Sequence, residues 1–205
     1  MPSDEQGSGG VVLDALDVAL LVSNALDQIH CEYFVGGSVA SSLQGEPRAT
    51  NDIDFVVAML TWKVPAFAAA LGPDFDVDQE MLREAVSTGR CANIFYLPLV
   101  TKVDIFGLGS SPYDEVEFAR RRLVRVKSTG QELFVKSPEV SVLRKLLWYR
   151  EGGEVSTKQW RDVVEVLRVS GPQIDPQYLD QWASRLGVAP LLVRARMQAA
   201  GGSPP

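Results

Sequence analysis

Two aspartates two residues apart, Asp52 and Asp54, head the apolar run Phe55-Val56-Val57 and constrain this chain more than any other feature. Side chains alternate faces along a strand with a period of two, so both carboxylates point to one side. At about 5 Å apart in an effective dielectric of about 20, they repel by roughly 3 kcal/mol. A divalent cation between them removes that cost. The pair closes the stretch YFVGGSVASSLQGEPRATNDIDFVV, residues 33–57, which opens on a short apolar run and breaks at Gly36-Gly37.

The 205 residues suffice for one good core, or one core plus a small appended domain. No apolar run approaches the roughly 18 residues that span a bilayer. The segment MPSDEQGSGG is acidic and Gly/Ser-rich, without the positive region of a secretory signal. Residues 1–10 and 200–205 read as disordered tails, and the expectation is a cytoplasmic protein with no membrane contact. Cys31 and Cys91 lack partners at metal-ligand spacing, and reduced thiols are expected. The single histidine, His30, excludes poly-histidine zinc sites; at the end of a predicted helix, a cation there suits the dipole. Net charge is −6, yet residues 118–150 hold nine Lys/Arg against two Glu, a net of +7 that leaves −13 for the remainder. Such a segment is a candidate for holding a phosphorylated ligand or RNA, or else a solvated basic face.

Periodicity predicts an amphipathic helix over 11–29, a buried strand at 33–35, a short helix over 38–43 and a strand over 48–57. Helices follow at 64–71, stopped by Gly72-Pro73, and at 79–87. Strands at 92–97 and 102–108 join through Pro98, a helix covers 112–121, and runs at 123–126 and 132–135 flank a hairpin turn. From Ser137-Pro138, an N-cap followed by proline at the first helical position, the character becomes helical. Ser156 and Gln159 have the spacing of a capping box, and Trp148, Trp160 and Trp182 fall at core spacing. The expected fold class is α+β: a small mixed β-sheet with flanking helices over 11–136, followed by a helical part over 137–199.

A Gly-Gly-Ser turn between a strand and a helix offers backbone N–H groups, a hydroxyl and a positive dipole end to an anion. Asp104 sits inside the apolar strand Lys102-Val103-Asp104-Ile105-Phe106, where a lone carboxylate is costly unless paired or bound to metal. If that strand lies beside the one bearing Asp52 and Asp54, three carboxylates converge. Hard oxygens with room for water and phosphate suit Mg²⁺.

The order G-G-S, then R-x-T-x-D-x-D-F, then hydrophobic-Asp-hydrophobic resembles the DNA polymerase β-type nucleotidyltransferase superfamily. It is most similar to the minimal bacterial type related to abortive-infection toxins. Gly36, Gly37, Ser38, Arg48, Thr50, Asp52, Asp54 and Asp104 carry that resemblance, and Lys145 with Arg161-Asp162 is similar to later elements of those toxins. The resemblance implies the nucleotidyltransferase fold and transfer of a nucleoside monophosphate from an NTP to a hydroxyl-type acceptor, with two Mg²⁺ ions. Asp52 and Asp54 would bind both ions, and Asp104 would complete the site, by metal binding or as a base. Ser38 and the Gly37 amide would hold the β/γ phosphates, and Lys145 would offset charge on the departing pyrophosphate or serve as an ordinary basic residue on a helix face. Arg48 and Thr50 would support the turn, and Asp162 is either solvated or pointed at the cleft. The acceptor is RNA such as tRNA, a protein or a small molecule, with a cognate partner protein implied by the toxin type. The alternative is a non-catalytic nucleotidyltransferase-like module acting as antitoxin or partner subunit. No G-x-G-x-x-G follows a strand and no Walker loop is present, so dehydrogenase and P-loop readings have no support.

Overall fold

The computed structural model describes residues 14–44 and 53–201. The first helix, α1 (Ala15–Gln28), starts where Asp14 accepts from Leu16 N at 2.7 Å and Asp17 N at 3.0 Å, and Asp17 Oδ2 accepts from Asp14 N at 2.9 Å. This reciprocal cap satisfies donors that no helical carbonyl can reach. The strand β1 (Tyr33–Val35) is buried throughout, and the helix α2 (Gly37–Gln44) leaves it directly. Then come β2 (Ile53–Val57), α3 (Val64–Leu71), β3 (Phe75–Val77), α4 (Gln79–Thr88), β4 (Cys91–Tyr96) and β5 (Thr101–Gly107). The chain continues through α5 (Pro112–Ala119), β6 (Arg122–Arg125), β7 (Glu132–Val135), α6 (Pro138–Glu151), α7 (Thr157–Ser170), α8 (Pro176–Arg185) and α9 (Ala189–Ala199).

The seven strands form one mixed sheet in the order β3-β4-β5-β2-β1-β7-β6. β2 is antiparallel to β1 and parallel to β5, and β7 is parallel to β1. One face carries Phe55, Val57, Val103, Ile105 and Ile94, none of them exposed, and these pack into a core with Val18, Val22 and Leu26 of α1 and Phe67 of α3. Each large side chain so buried contributes about 1.5–3 kcal/mol. The alternate residues of the same strands, Asp54, Val56, Asp104 and Phe106, face the other way and are only half-buried. The core face thus holds in place a second face that carries charge.

Alternation and capping account for most of these elements, and the mixed sheet with a helical C-terminal part is the expected architecture. Strand β3 has no counterpart among the expected elements; it is as short as β1 but lacks the Gly-Gly break that marks the end of β1. Residues 48–52 of the expected second strand, with Arg48, Thr50 and Asp52, lie outside the described residues. A second apolar cluster gathers Leu143, Leu146, Val163, Leu179, Leu191 and Leu192 from α6 to α9, together with Tyr113 of α5. Tyr113 stacks on Trp182 at 4.9 Å and Tyr149 on Trp160 at 5.1 Å. Core spacing misleads for Trp148, which is 48% exposed. The Ser156 cap forms through Gln159 N at 3.3 Å, but Gln159 Oε1 has no hydrogen-bond partner, so the box is half made.

Much of the basic segment 118–150 is turned inward. Glu139, with no exposed surface, accepts from Arg122 at 2.9 Å, Arg120 at 3.4 Å and Asp175 N at 3.0 Å. Arg121 bonds Glu32, and Arg144 bonds both Asp114 and Glu117. Lys145 of α6 meets Asp162 of α7 at 2.7 Å, with both side chains buried. Removing one partner of such a pair leaves an uncompensated buried charge, which costs about 3–5 kcal/mol. Asp162→Ala is therefore expected to destabilise the protein by about that amount, whereas Lys145→Met combined with Asp162→Leu restores most of it. Urea unfolding, compared at constant m, checks both values.

Candidate active site

Asp54 stands opposite Asp104 in the parallel ladder of β2 and β5. Strands in a sheet lie about 4.8 Å apart and paired residues share a face, so the two carboxylates are neighbours. Lys102, two residues before Asp104 and on the same face, donates from Nζ to Asp104 Oδ2 at 2.7 Å. That bond holds the Lys102 ammonium above the ordinary lysine pKa. The other oxygen, Asp104 Oδ1, is buried with no hydrogen-bond partner. An unsatisfied buried acceptor costs about 1–3 kcal/mol, and a cation bound there would remove the deficit.

The face continues onto β4, where Asn93 pairs with Asp104 and Cys91 with Phe106. Burial, and then the Asp104 carboxylate, push the Cys91 thiol up to about 11. Cys91 is thus a protonated thiol at neutral pH, unsuited to nucleophilic work. Both cysteines are free. Hard carboxylate oxygens and an orphaned one among them fit Mg²⁺. Asp52, the third expected ligand, lies outside the described residues, and among those described no three candidate ligands gather.

The Gly36-Gly37 turn is pressed onto β2. Gly36 N donates to Asp54 O at 2.7 Å. Gly37 has φ +57°, and a β-carbon there would lie 2.8 Å from Asp54 Cγ. Only glycine fits, on both counts. The turn therefore brings backbone against the Asp54 carboxylate at the point where α2 begins. Ser38 follows one residue into α2 and is buried.

Beside the turn lies a cavity of about 340 Å³. It is lined by Asp54, Val56 and Phe106 of the sheet, by Gly36 and Gly37, and by Asp114, Glu117, Lys136, Arg144 and Trp148. Neither Ser38 nor Lys145 lines it. Lys136 is 5% exposed, with Nζ 5.7 Å from the centroid of the Trp148 ring. Burial lowers the Lys136 pKa to about 8, against the pull of Glu117 and Asp54. Desolvation likewise raises Glu117 above the usual carboxylate range, although Arg144 and Lys136 act the other way.

Of the residues singled out from sequence, the structure brings together Gly36, Gly37, Asp54 and Asp104. It places Lys145 in the buried pair with Asp162. Lys136 and Arg144 belong to the basic segment 118–150 but were not singled out within it, and Trp148 was expected in the core. Lys136 stands between a strand and a helix cap, and nothing local marks it. Its place depends on β7 pairing with β1 about a hundred residues earlier, which no sequence period reveals.

No protein-family model and no curated protein matches the sequence. Solved structures do match. An antigenic nucleotidyltransferase-like protein from Paracoccidioides brasiliensis gives a TM-score of 0.51 at 22% identity, over 89% of this chain and 91% of its own. ANT(2'')-Ia in complex with adenylyl-2''-tobramycin gives 0.51 at 14% identity, over 83% and 95%. The solution structure of the antibiotic-resistance factor ANT(2'')-Ia gives 0.48 at 16% identity, over 92% and 97%. The chain has the nucleotidyltransferase fold.

Proposed function

We propose that this protein is an Mg²⁺-dependent nucleotidyltransferase that moves a nucleoside monophosphate from an NTP to a hydroxyl acceptor. The observation that carries the reading is the Asp54–Asp104 pairing, with Asp104 Oδ1 unsatisfied, against a glycine turn that only glycine can make. Asp52, Asp54 and Asp104 would hold two Mg²⁺ ions. Bound there, the ions would supply charge stabilisation to the entering and leaving oxygens of the displacement. In that reaction the acceptor oxygen bonds to the α-phosphorus as the bond to the β-phosphate bridging oxygen breaks. The electron pair leaves with pyrophosphate, and the acceptor proton passes to Asp104 or to water. The Gly37 amide and Ser38, at the start of α2, would face the β/γ phosphates. Lys145 would act at one remove, by tying α6 to α7 through Asp162.

A small polyhydroxylated molecule suits the acceptor role better than RNA. Five of the nine basic residues of segment 118–150, Arg120, Arg121, Arg122, Arg144 and Lys145, are bonded to carboxylates of the same chain. The net charge of −6 favours a cationic acceptor. One of the similar structures holds an adenylylated aminoglycoside. A cognate protein partner, as in toxin–antitoxin pairs, follows from the sequence resemblance alone. A non-catalytic module is disfavoured by the paired acids, which no structural role requires.

Incubation with α-labelled NTPs, Mg²⁺ and a panel of aminoglycosides, tRNA and protein is expected to label one acceptor. Asp54→Ala should cut that labelling by more than about a hundredfold, since even an outer partner of a metal site costs roughly 10–100-fold. Label that persists in Asp54→Ala, or no label on any acceptor, would sink the proposal. Gly37→Ala imposes about 1–2 kcal/mol of left-handed backbone strain and displaces the Asp54 carboxylate. It is expected to lower transfer at least tenfold while circular dichroism shows the fold retained.

A further inference from the structure

We propose that Lys136 is the cation that receives the terminal phosphates of the nucleotide, a role that rests on the transferase reading above. β1 and β7 run parallel with Val35 opposite Val135, so the residues after them leave the sheet side by side. Those residues are Gly36 and Lys136. Lys136 N donates to Val35 O at 2.9 Å, and a β-carbon on Gly36 would lie 3.7 Å from Lys136 Nζ. The same β-carbon would lie 3.7 Å from Asp54 Cβ, on the opposite flank. Across four neighbouring strands the order is therefore Asp104, Asp54, the Gly36-Gly37 turn, Lys136. Ligands of open α/β sheets bind beyond the carboxyl ends of parallel strands, where Gly36 and Lys136 stand.

Lys136, like the neighbouring cations, faces carboxylates of its own, and it differs from them in position. Arg144 turns its guanidinium onto Asp114 and Glu117. Lys145 meets Asp162 and does not line the cavity. Lys102 stands on Asp104, half-exposed. Lys136 is the buried ammonium in the cavity wall, facing Asp54 of β2 and Glu117 of α5 as well as Arg144 and Lys145 of α6. A lysine side chain is a compact point charge that suits phosphate oxygens without imposing a fork geometry. Carboxylates that hold metal on one side and an ammonium on the other would clasp a polyphosphate across the strand ends.

The probe is inorganic pyrophosphate with Mg²⁺, followed by calorimetry and by tryptophan emission, because Lys136 Nζ lies beside the Trp148 ring. Wild-type protein is expected to bind it with an emission change that Trp148→Phe removes. Lys136→Met, matched in length and uncharged, should weaken pyrophosphate about 10- to 100-fold, as loss of a charged hydrogen bond does. It should not weaken Mn²⁺ binding. Lys136→Gln keeps a donor without the charge and should fall between, which separates lost charge from disturbed packing. Wild-type affinity for pyrophosphate in both variants overturns the role of Lys136 and leaves the transferase reading standing. Wild-type protein that binds neither Mn²⁺ nor any of the four NTPs overturns that reading and this inference with it.

Discussion

The in-register parallel pairing of β2 and β5 sets two carboxylates side by side, and the rest of the molecule is arranged around that unfavourable contact. Like charges on neighbouring strands destabilise a sheet. What opposes them is the other face of the same strands, where Phe55, Val57, Val103 and Ile105 are wholly buried. Parallel strands also need a crossover connection. Here that connection is α3, β3, α4 and β4, and β4 returns to pair with β5 on its far side. The strand bearing Asp104 is thereby fixed from both edges, and its carboxylate has little freedom to move away from Asp54. Lys102 relieves one oxygen of Asp104 and leaves the other unsatisfied.

Electrostatics elsewhere follows the opposite logic. Arg120, Arg122, Arg144 and Lys145 of the basic stretch between residues 118 and 150 bond the buried or half-buried acids Glu139, Asp114, Glu117 and Asp162. Arg120 shows the pattern: its guanidinium bonds Asp175 at 3.1 Å and stacks on Tyr178 at 3.9 Å, while also reaching Glu139. Those contacts join the end of α5 to α6 and α8. Such a knot is worth little as net stability, because taking the charges out of water is costly, but it fixes relative placement. Placement matters here because α6 carries Arg144 and Trp148 into the cavity wall.

The sheet face and its acids were legible in the sequence because strand alternation is local. Asp54, Asp104 and the Gly36-Gly37 turn each announce themselves through residues within two or three positions. The C-terminal helices were legible for the same reason, through Ser137, Ser156 and the i, i+3, i+4 spacing after each. What was not legible depends on pairing at a distance. Trp148 lies at core spacing on α6, yet half of it is exposed and it lines the cavity. Net charge over a window does not show that partners outside it, Glu32, Asp114, Asp162 and Asp175, take up part of the charge of the basic segment.

The site is therefore a property of the strand order more than of any motif. In the chain the contributing strands run β1, β2, β5, β7; across the sheet they run β5, β2, β1, β7. That rearrangement puts the glycine turn between the acids and Lys136, although Lys136 is the last of the four in sequence. The centre is a turn without side chains, and its Gly36 N–H is already given to Asp54 O. The positive φ at Gly37 and the contact its absent β-carbon would make with Asp54 show how closely that centre is packed. Opposite charges on the two flanks, with uncharged backbone between them, suit a ligand that is itself an extended anion bound partly through metal. The nucleoside triphosphate proposed above as donor would meet that description.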